Sequence, residues 1–211
     1  MNFREVQDAV ADWLNRDDLT SRIPTFVNNA ILSLERKFNF QYMESVETYI
    51  DTSVYTLMAP TDYKHPRFMY VVDSSGNRTL LTHLDPKGAI AAYPNFAQNL
   101  GKPTVFATVE GGTAFLLRPT PDNAYTFELH YYAKSAPLVN DTDTNWLTDN
   151  APDVLIYGAL MQAEPFLGTV DLNPVWEQRF NSELQYIGMK AIRENHLGSY
   201  QVVRPATGDI V

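Results

Sequence analysis

The chain has 211 residues, a net charge of −9 from 16 basic and 25 acidic side chains, and no cysteine. The missing thiols exclude a disulfide scaffold, a thiolate nucleophile and thiolate-held zinc or iron–sulfur centres. With 45% apolar, 12% aromatic and 19% charged residues, the composition is that of a globular chain rather than a disordered one. Its negative balance opposes gripping nucleic acid through phosphates, which takes clustered Lys and Arg.

In chain order, Phe3, Val6, Val10, Trp13 and Leu14 recur at three and four residues, with Arg4, Glu5, Asp8 and Asp12 elsewhere on the turn. That pattern predicts an amphipathic helix. A second follows, with Thr20 or Ser21 as cap, Pro24 tolerated in the first turn, and a stripe of Ile23, Phe26, Val27, Ala30, Ile31, Leu34 and Phe38. The short link predicts an antiparallel helical hairpin.

The period then changes to two. Val46–Ile50, Phe68–Val72, Thr79–Leu84, Thr104–Val109, Thr113–Leu117 and Tyr125–Tyr132 read as strands bounded by Pro, Gly, Asn and Asp. Gly111-Gly112 supplies positive φ for a tight turn over Glu110–Thr113, and Pro119–Asn123 forms the next turn. Six short antiparallel strands predict a small sandwich or barrel. After them, Asn150-Ala151-Pro152-Asp153 reads as cap, early proline and acidic first turn of a helix that Pro165 kinks or ends. Asn173-Pro174 opens the most periodic segment, through Trp176, Phe180, Leu184, Ile187 and Ala191.

The expected fold is α+β. A helix pair (1–43) and a second pair (140–195) form a four-helix bundle, an antiparallel β domain (44–139) is inserted between them, and residues 196–211 trail as an extended arm. The charged first turn and the lack of a long apolar run speak against export and against any membrane partner. The sequons at Asn77 and Asn140 accordingly read as chance.

No constellation of reactive groups has a specific spacing. His65, His83, His130 and His196 form no helical metal pair, and there is no nucleophile elbow. Asp141-Thr142-Asp143-Thr144-Asn145 begins like a calcium loop, but Trp146 stands where glycine is needed and Pro152 where a bidentate Glu should close it. We therefore expect no catalytic, cofactor or metal residues. Asp141, Asp143, Asp149 and Asp153, with no Lys or Arg among them, read as an acidic patch facing a basic partner or a DNA channel.

Tyr132 and Trp146 are candidate interface anchors. Tyr131 and Tyr132, adjacent in a strand, face opposite sides, so at most one belongs to the core. The arm carries Gly198, Pro205 and Gly208 but no stripe. Its Leu197, Tyr200, Val202, Val203, Arg204, Ile210 and Val211 are read as contacts laid on another subunit, through strand addition.

The ordered motifs Ala11-Asp12-Trp13-Leu14-Asn15-Arg16-Asp17-Asp18-Leu19, Ile23-Pro24-Thr25-Phe26-Val27, Lys102-Pro103-Thr104, Leu117-Arg118-Pro119-Thr120-Pro121-Asp122, Leu129-His130-Tyr131-Tyr132, Trp146-Leu147 and Pro152–Leu160 together resemble the head-to-tail connector adaptors of short-tailed bacteriophages. The resemblance spans residues 3–190. It implies a virion protein without enzymatic activity or cofactor, forming a ring, usually of twelve copies, between portal and tail. Helices would face the portal and neighbouring copies, the β domain would face tail nozzle or fibre proteins, and DNA would pass without sequence-specific binding. Two other readings compete. One is a carboxylate-dependent hydrolase of a cell-surface polymer using acids from Asp141–Asp153; the other is a monomeric binding module.

Overall fold

In the computed structural model, which describes residues 1–167 and 173–196, the chain divides into two compact units: Met1–Leu34 with Leu138–Val211, and Glu35–Pro137. The elements in chain order are α1 (Phe3–Leu14), α2 (Ile23–Lys37), β1 (Glu44–Thr52), β2 (Thr56–Met58), β3 (Tyr63–Val72), β4 (Arg78–His83) and α3 (Pro86–Ala92). They continue with β5 (Val105–Val109), β6 (Ala114–Arg118), β7 (Tyr125–Ala133), α4 (Trp146–Asn150), α5 (Pro152–Ala163) and α6 (Asn173–His196).

In the first unit α1 opens on a capping box. The Asn2 side chain accepts from the Glu5 N–H, and the Glu5 carboxylate accepts from the Asn2 N–H. It closes at Asn15, whose φ of +47° is the left-handed turn that asparagine tolerates. Of its expected stripe, Phe3, Val6, Val10 and Leu14 are buried, whereas Trp13 is exposed and meets Tyr157 edge-on at the helix surface. Thr20 does not cap α2. A 3-10 segment, Asp17–Arg22, runs directly into it, and the Thr20 hydroxyl donates to the Asp17 carbonyl at 2.9 Å. Asn150 likewise ends α4 instead of capping α5, its amide donating to the Trp146 carbonyl at 3.0 Å.

Helix α5 is covered over most of its surface: Val154, Leu155, Ile156, Gly158, Ala159, Leu160 and Ala163 are all buried, with Asp153, Tyr157 and Met161 on the less covered side. Both α1 and α6 pack on it. Gly158 marks its tightest crossing, because a Cβ there would lie 3.0 Å from the Ala30 Cβ of α2 and 3.2 Å from the Phe180 ring of α6. Pro165 ends the helix, and a 3-10 turn, Glu164–Phe166, follows.

The second unit is one seven-stranded sheet, ordered β1-β7-β3-β4-β5-β6-β2. Tyr63 of β3 and Phe115 of β6 are separated in that order by β4 and β5, yet their rings meet edge-on at 5.1 Å. The sheet therefore curls over a core of Leu57, Tyr63, Met69, Val71, Leu81, Phe106, Phe115, Leu117, Phe127, Leu129 and Tyr131. The Tyr49 hydroxyl of β1 donates to the Met58 carbonyl of β2 at 2.6 Å, tying one outer strand to the other.

Three expectations are corrected here. There are seven strands, not six, since the three residues of β2 are too few to show a period. The sheet is not wholly antiparallel: β4 and β5 run parallel. Helix α3, begun by the cap Asp85 and by Pro86, supplies the crossover that a parallel pair requires. The expected Gly111-Gly112 turn is present, with φ of +67° and +100°, and Val109 pairs with Ala114, so Glu110–Thr113 form the connection. Helices number six among the described residues, with α3 and α4 beyond the four expected.

Alanine exceeds glycine in helix propensity by about 1 kcal/mol, but the Ala30 Cβ is fixed to a backbone and has nowhere to go. Gly158→Ala is expected to lower stability by about 1–2 kcal/mol net of propensity, measured by urea unfolding; Gly158→Val should cost more.

Candidate interaction surfaces

Period-two geometry gives the sheet a second face, opposite the core. On β7 the rows divide cleanly. Phe127, Leu129 and Tyr131 point inward, while Glu128, His130 and Tyr132 point outward. The register then sets the outward neighbours, with His130 opposite Val46 of β1 and Phe68 of β3, and Tyr70 opposite Leu80 of β4.

The rings on this face are ordered. Phe68 stacks on His130 at 4.4 Å and meets Tyr70 at 5.4 Å. The Arg67 guanidinium lies 5.7 Å from the Phe68 ring and 5.5 Å from Tyr132, and also pairs with Glu44. Arg78 grips Glu128 with two hydrogen bonds, at 2.7 and 2.9 Å; they hold the Glu128 carboxyl below its usual range. Arg67, Arg78, Glu44 and Glu128 are thus mutually paired, and around them Val46, Ile50 and Leu80 stand 52%, 72% and 58% exposed.

The acidic run makes local structural contacts. Its backbone starts α1: the Phe3 N–H donates to the Asp143 carbonyl at 2.9 Å and the Arg4 N–H to the Asp141 carbonyl at 3.0 Å. The Asp143 carboxylate accepts from the backbone N–H groups of Asn140 and Val139, at 2.8 and 2.9 Å, and these bonds lower its pKa. Asp149 lies 3.8 Å from the terminal amine, and the amine also donates to the Thr148 carbonyl. Asp153 sits in the first turn of α5, where the helix dipole favours a carboxylate. Asn145 caps α4 in a box with Thr148, so the segment resembling a calcium loop passes into helix at Trp146. Asp143, Asp149 and Asp153 thus have local roles for their carboxylates, and Asp141 contributes its backbone carbonyl.

Arg118 is a residue that sequence reading passed over. It is 0% exposed, its Nη1 donates to Thr120 Oγ1 at 2.6 Å, and its Cζ lies 3.1 Å from the Phe96 ring centroid, with Tyr55 at 5.8 Å. Its Nε and Nη2 have no partner among the described residues. Burial draws its pKa below the ordinary arginine range, and the aromatic faces supply what compensation the cation has. The Thr120 hydroxyl passes the connection on to the Phe96 carbonyl at 3.0 Å.

Of the expected interface residues, Tyr132 lies in the outward aromatic array. Trp146 begins α4, partly exposed. Leu197, Tyr200, Val202, Val203, Arg204, Ile210 and Val211 lie outside the described residues. His65, His83 and His130 are apart on the sheet, and no group of three His, Asp or Glu side chains suited to a metal occurs among the described residues. No helix among them is long and apolar enough to cross a membrane. Sequence reading missed Arg67, Phe68, Tyr70, Val46 and Ile50 as members of one face. The available signal was the alternation in β3 and β1, aligned on Tyr132.

The model of the SU10 adaptor protein family matches residues 1–205, and the chain belongs to that family. It is a structural adaptor of a phage virion, a class that is not enzymatic, and membership implies portal or tail partners and self-association. No curated protein matches the chain.

Two expectations follow from these sites. Asp143→Ala should lower the thermal midpoint and loosen residues 139–143 in hydrogen exchange, whereas Asp141→Ala should stay within about 0.5 kcal/mol of the parent. Because the folded pKa of Asp143 is depressed, its contribution is present above the unfolded value of about 3.9 and fades as pH falls toward the lowered one. Asp143→Asn should flatten that part of the acid titration. Arg118→Ala should cost about 3 kcal/mol through lost packing, while Arg118→Met, which keeps the volume and removes the buried charge, should cost less than about 1.5 kcal/mol; urea unfolding measures both.

Proposed function

We propose that this chain is the subunit of a ring, of twelve copies, that joins the portal of a short-tailed phage to its tail nozzle or fibres and leaves a central passage for DNA. The family match over residues 1–205 carries this reading. In it, α1, α2, α5 and α6 act as a four-helix bundle toward portal and neighbours, and the sheet unit faces the tail. Residues 196–211 form an arm that lies on another subunit. Tyr132 and Trp146 serve as interface anchors, and Asp141, Asp143, Asp149 and Asp153 face a partner or the channel.

Charge supports the passage. At −9, the chain offers phosphates little to hold, and a conduit must let DNA slide. Assembly requires no chemistry, only burial of surface between copies and on the portal. The ring would be built in the host cytoplasm and carried in the virion.

Mixing the purified chain with portal is expected to give one discrete ring complex by native mass measurement. Removing His196–Val211 should weaken it by about tenfold or more, as loss of a multi-residue docking segment does. A chain that stays monomeric beside portal would refute the reading.

A further inference from the structure

We propose that the free edge of β1 receives the segment Tyr200–Arg204 of a second copy as an added strand, so that copies are stitched head to tail through the sheet. The proposal rests on the ring reading above and supplies its joint.

The edge comes first. β1 is nine residues long and pairs with β7 on one side; among the described residues no strand pairs with its other side. Long edge strands are normally blunted by Lys, Pro, a bulge or extreme shortness, because their unpaired N–H and C=O groups template further pairing. The opposite end of the sheet is protected in that way: β2 has three residues, and its Met58 carbonyl is taken by Tyr49. β1 is protected only at its far end, by the register shift after Tyr49. Glu44–Thr52 contains neither Lys nor Pro, and its register is regular from Glu44 to Tyr49, with the only shift between Tyr49 and Thr52. Its outward row carries Val46, 52% exposed, and Ile50, 72% exposed.

The occupant follows from what remains of the chain. Fifteen residues, 197–211, follow α6. Within them Tyr200, Val202 and Val203 favour a strand, and Pro205 stops one, leaving a run of five residues. That length fits the regular six residues of β1, Glu44–Tyr49. The charges complement as well: beside Glu44, which pairs with Arg67, β1 carries Glu47, which forms no ion pair among the described residues, while the segment carries Arg204 and no acid before Asp209. Alternation would set Tyr200 and Val202 beside the outward row in one register. Donation from the same copy would close the edge and leave a self-contained monomer. Donation from the next copy repeats one heterologous contact, which is how rings form.

The chain has no cysteine, so introduced thiols are unique. Full-length chains bearing Val46→Cys, Thr48→Cys or Ile50→Cys are mixed with full-length chains bearing Gln201→Cys, Val202→Cys or Val203→Cys, assembled with portal, and treated with a short bismaleimide. At least one combination is expected to give a two-chain band about tenfold above a control pairing with Asp8→Cys, since docking raises the local concentration of the two thiols. Val46→Lys with Ile50→Lys, both at exposed positions, should reduce that band about tenfold. Background cross-linking in an intact oligomer overturns this proposal alone. So does a link formed within one chain carrying both cysteines. Absence of any oligomer by native mass overturns the ring reading as well.

Discussion

The alternation of β7 is the constraint on which the sheet unit depends. This strand lies between β1 and β3 and pairs with both along most of its length. Sliding it by one residue would send Phe127, Leu129 and Tyr131 into water and Glu128, His130 and Tyr132 into the core. Each buried ring or leucine contributes about 1.5–3 kcal/mol, so the slip is prohibitive and the register is fixed by burial. The outward array is then a by-product of the same strand. Its rings are held where they are because their neighbours in sequence are held inside, and the polar atoms of the inner row are satisfied, the Tyr131 hydroxyl donating to Asp62 at 2.9 Å and the Tyr125 hydroxyl to Asp122 at 2.7 Å.

The helical unit rests on a comparable division of labour. α5 shows no single polar face, which suits a helix surrounded by others rather than one lying on a surface. α1 begins on carbonyls of Asp141 and Asp143, residues remote in sequence, so the start of the first helix and the connector before α4 form together. The acidic side chains there are consistent with that role. The first turn of a helix carries partial positive charge, and carboxylates placed near it are favourable without needing a ligand.

Long periodic segments were legible in the sequence. The stripe of α1, the course of α6 from Asn173, the strand β7 and the positive φ at Gly111 and Gly112 all follow from residue spacing. Short or context-dependent features were not. β2 has too few residues to show a period, and the parallel pairing of β4 with β5 depends on α3, a seven-residue helix whose Asp85-Pro86 start was readable but isolated. Caps were misassigned at Thr20 and Asn150 because a capping side chain reads the same whether it opens a helix, closes one or bonds locally. The outward face was visible only as Tyr132, since Arg67, Phe68, Tyr70, Val46 and Ile50 join it through a register that sequence alone does not set.

The distribution of basic residues decides how much free positive charge the chain can offer to a polyanion. Net charge alone would not suffice, because a local cluster of free Arg or Lys could still clamp phosphates. Seven of the 16 cations are engaged internally. Arg4 pairs with Asp8, Arg16 with Asp18, Arg67 with Glu44 and Arg78 with Glu128, while Lys102 lies 3.8 Å from Asp73. Lys64 donates to the carbonyls of Glu35 and Phe38, and Arg118 is buried beneath Phe96. Each such contact removes a donor from solvent or neutralises it within a few ångströms, well inside the screening length of about 8 Å at physiological salt. What reaches farther is the unpaired acid. An acidic excess of that kind disfavours lodging of a polyanion, which is what the proposed conduit would require.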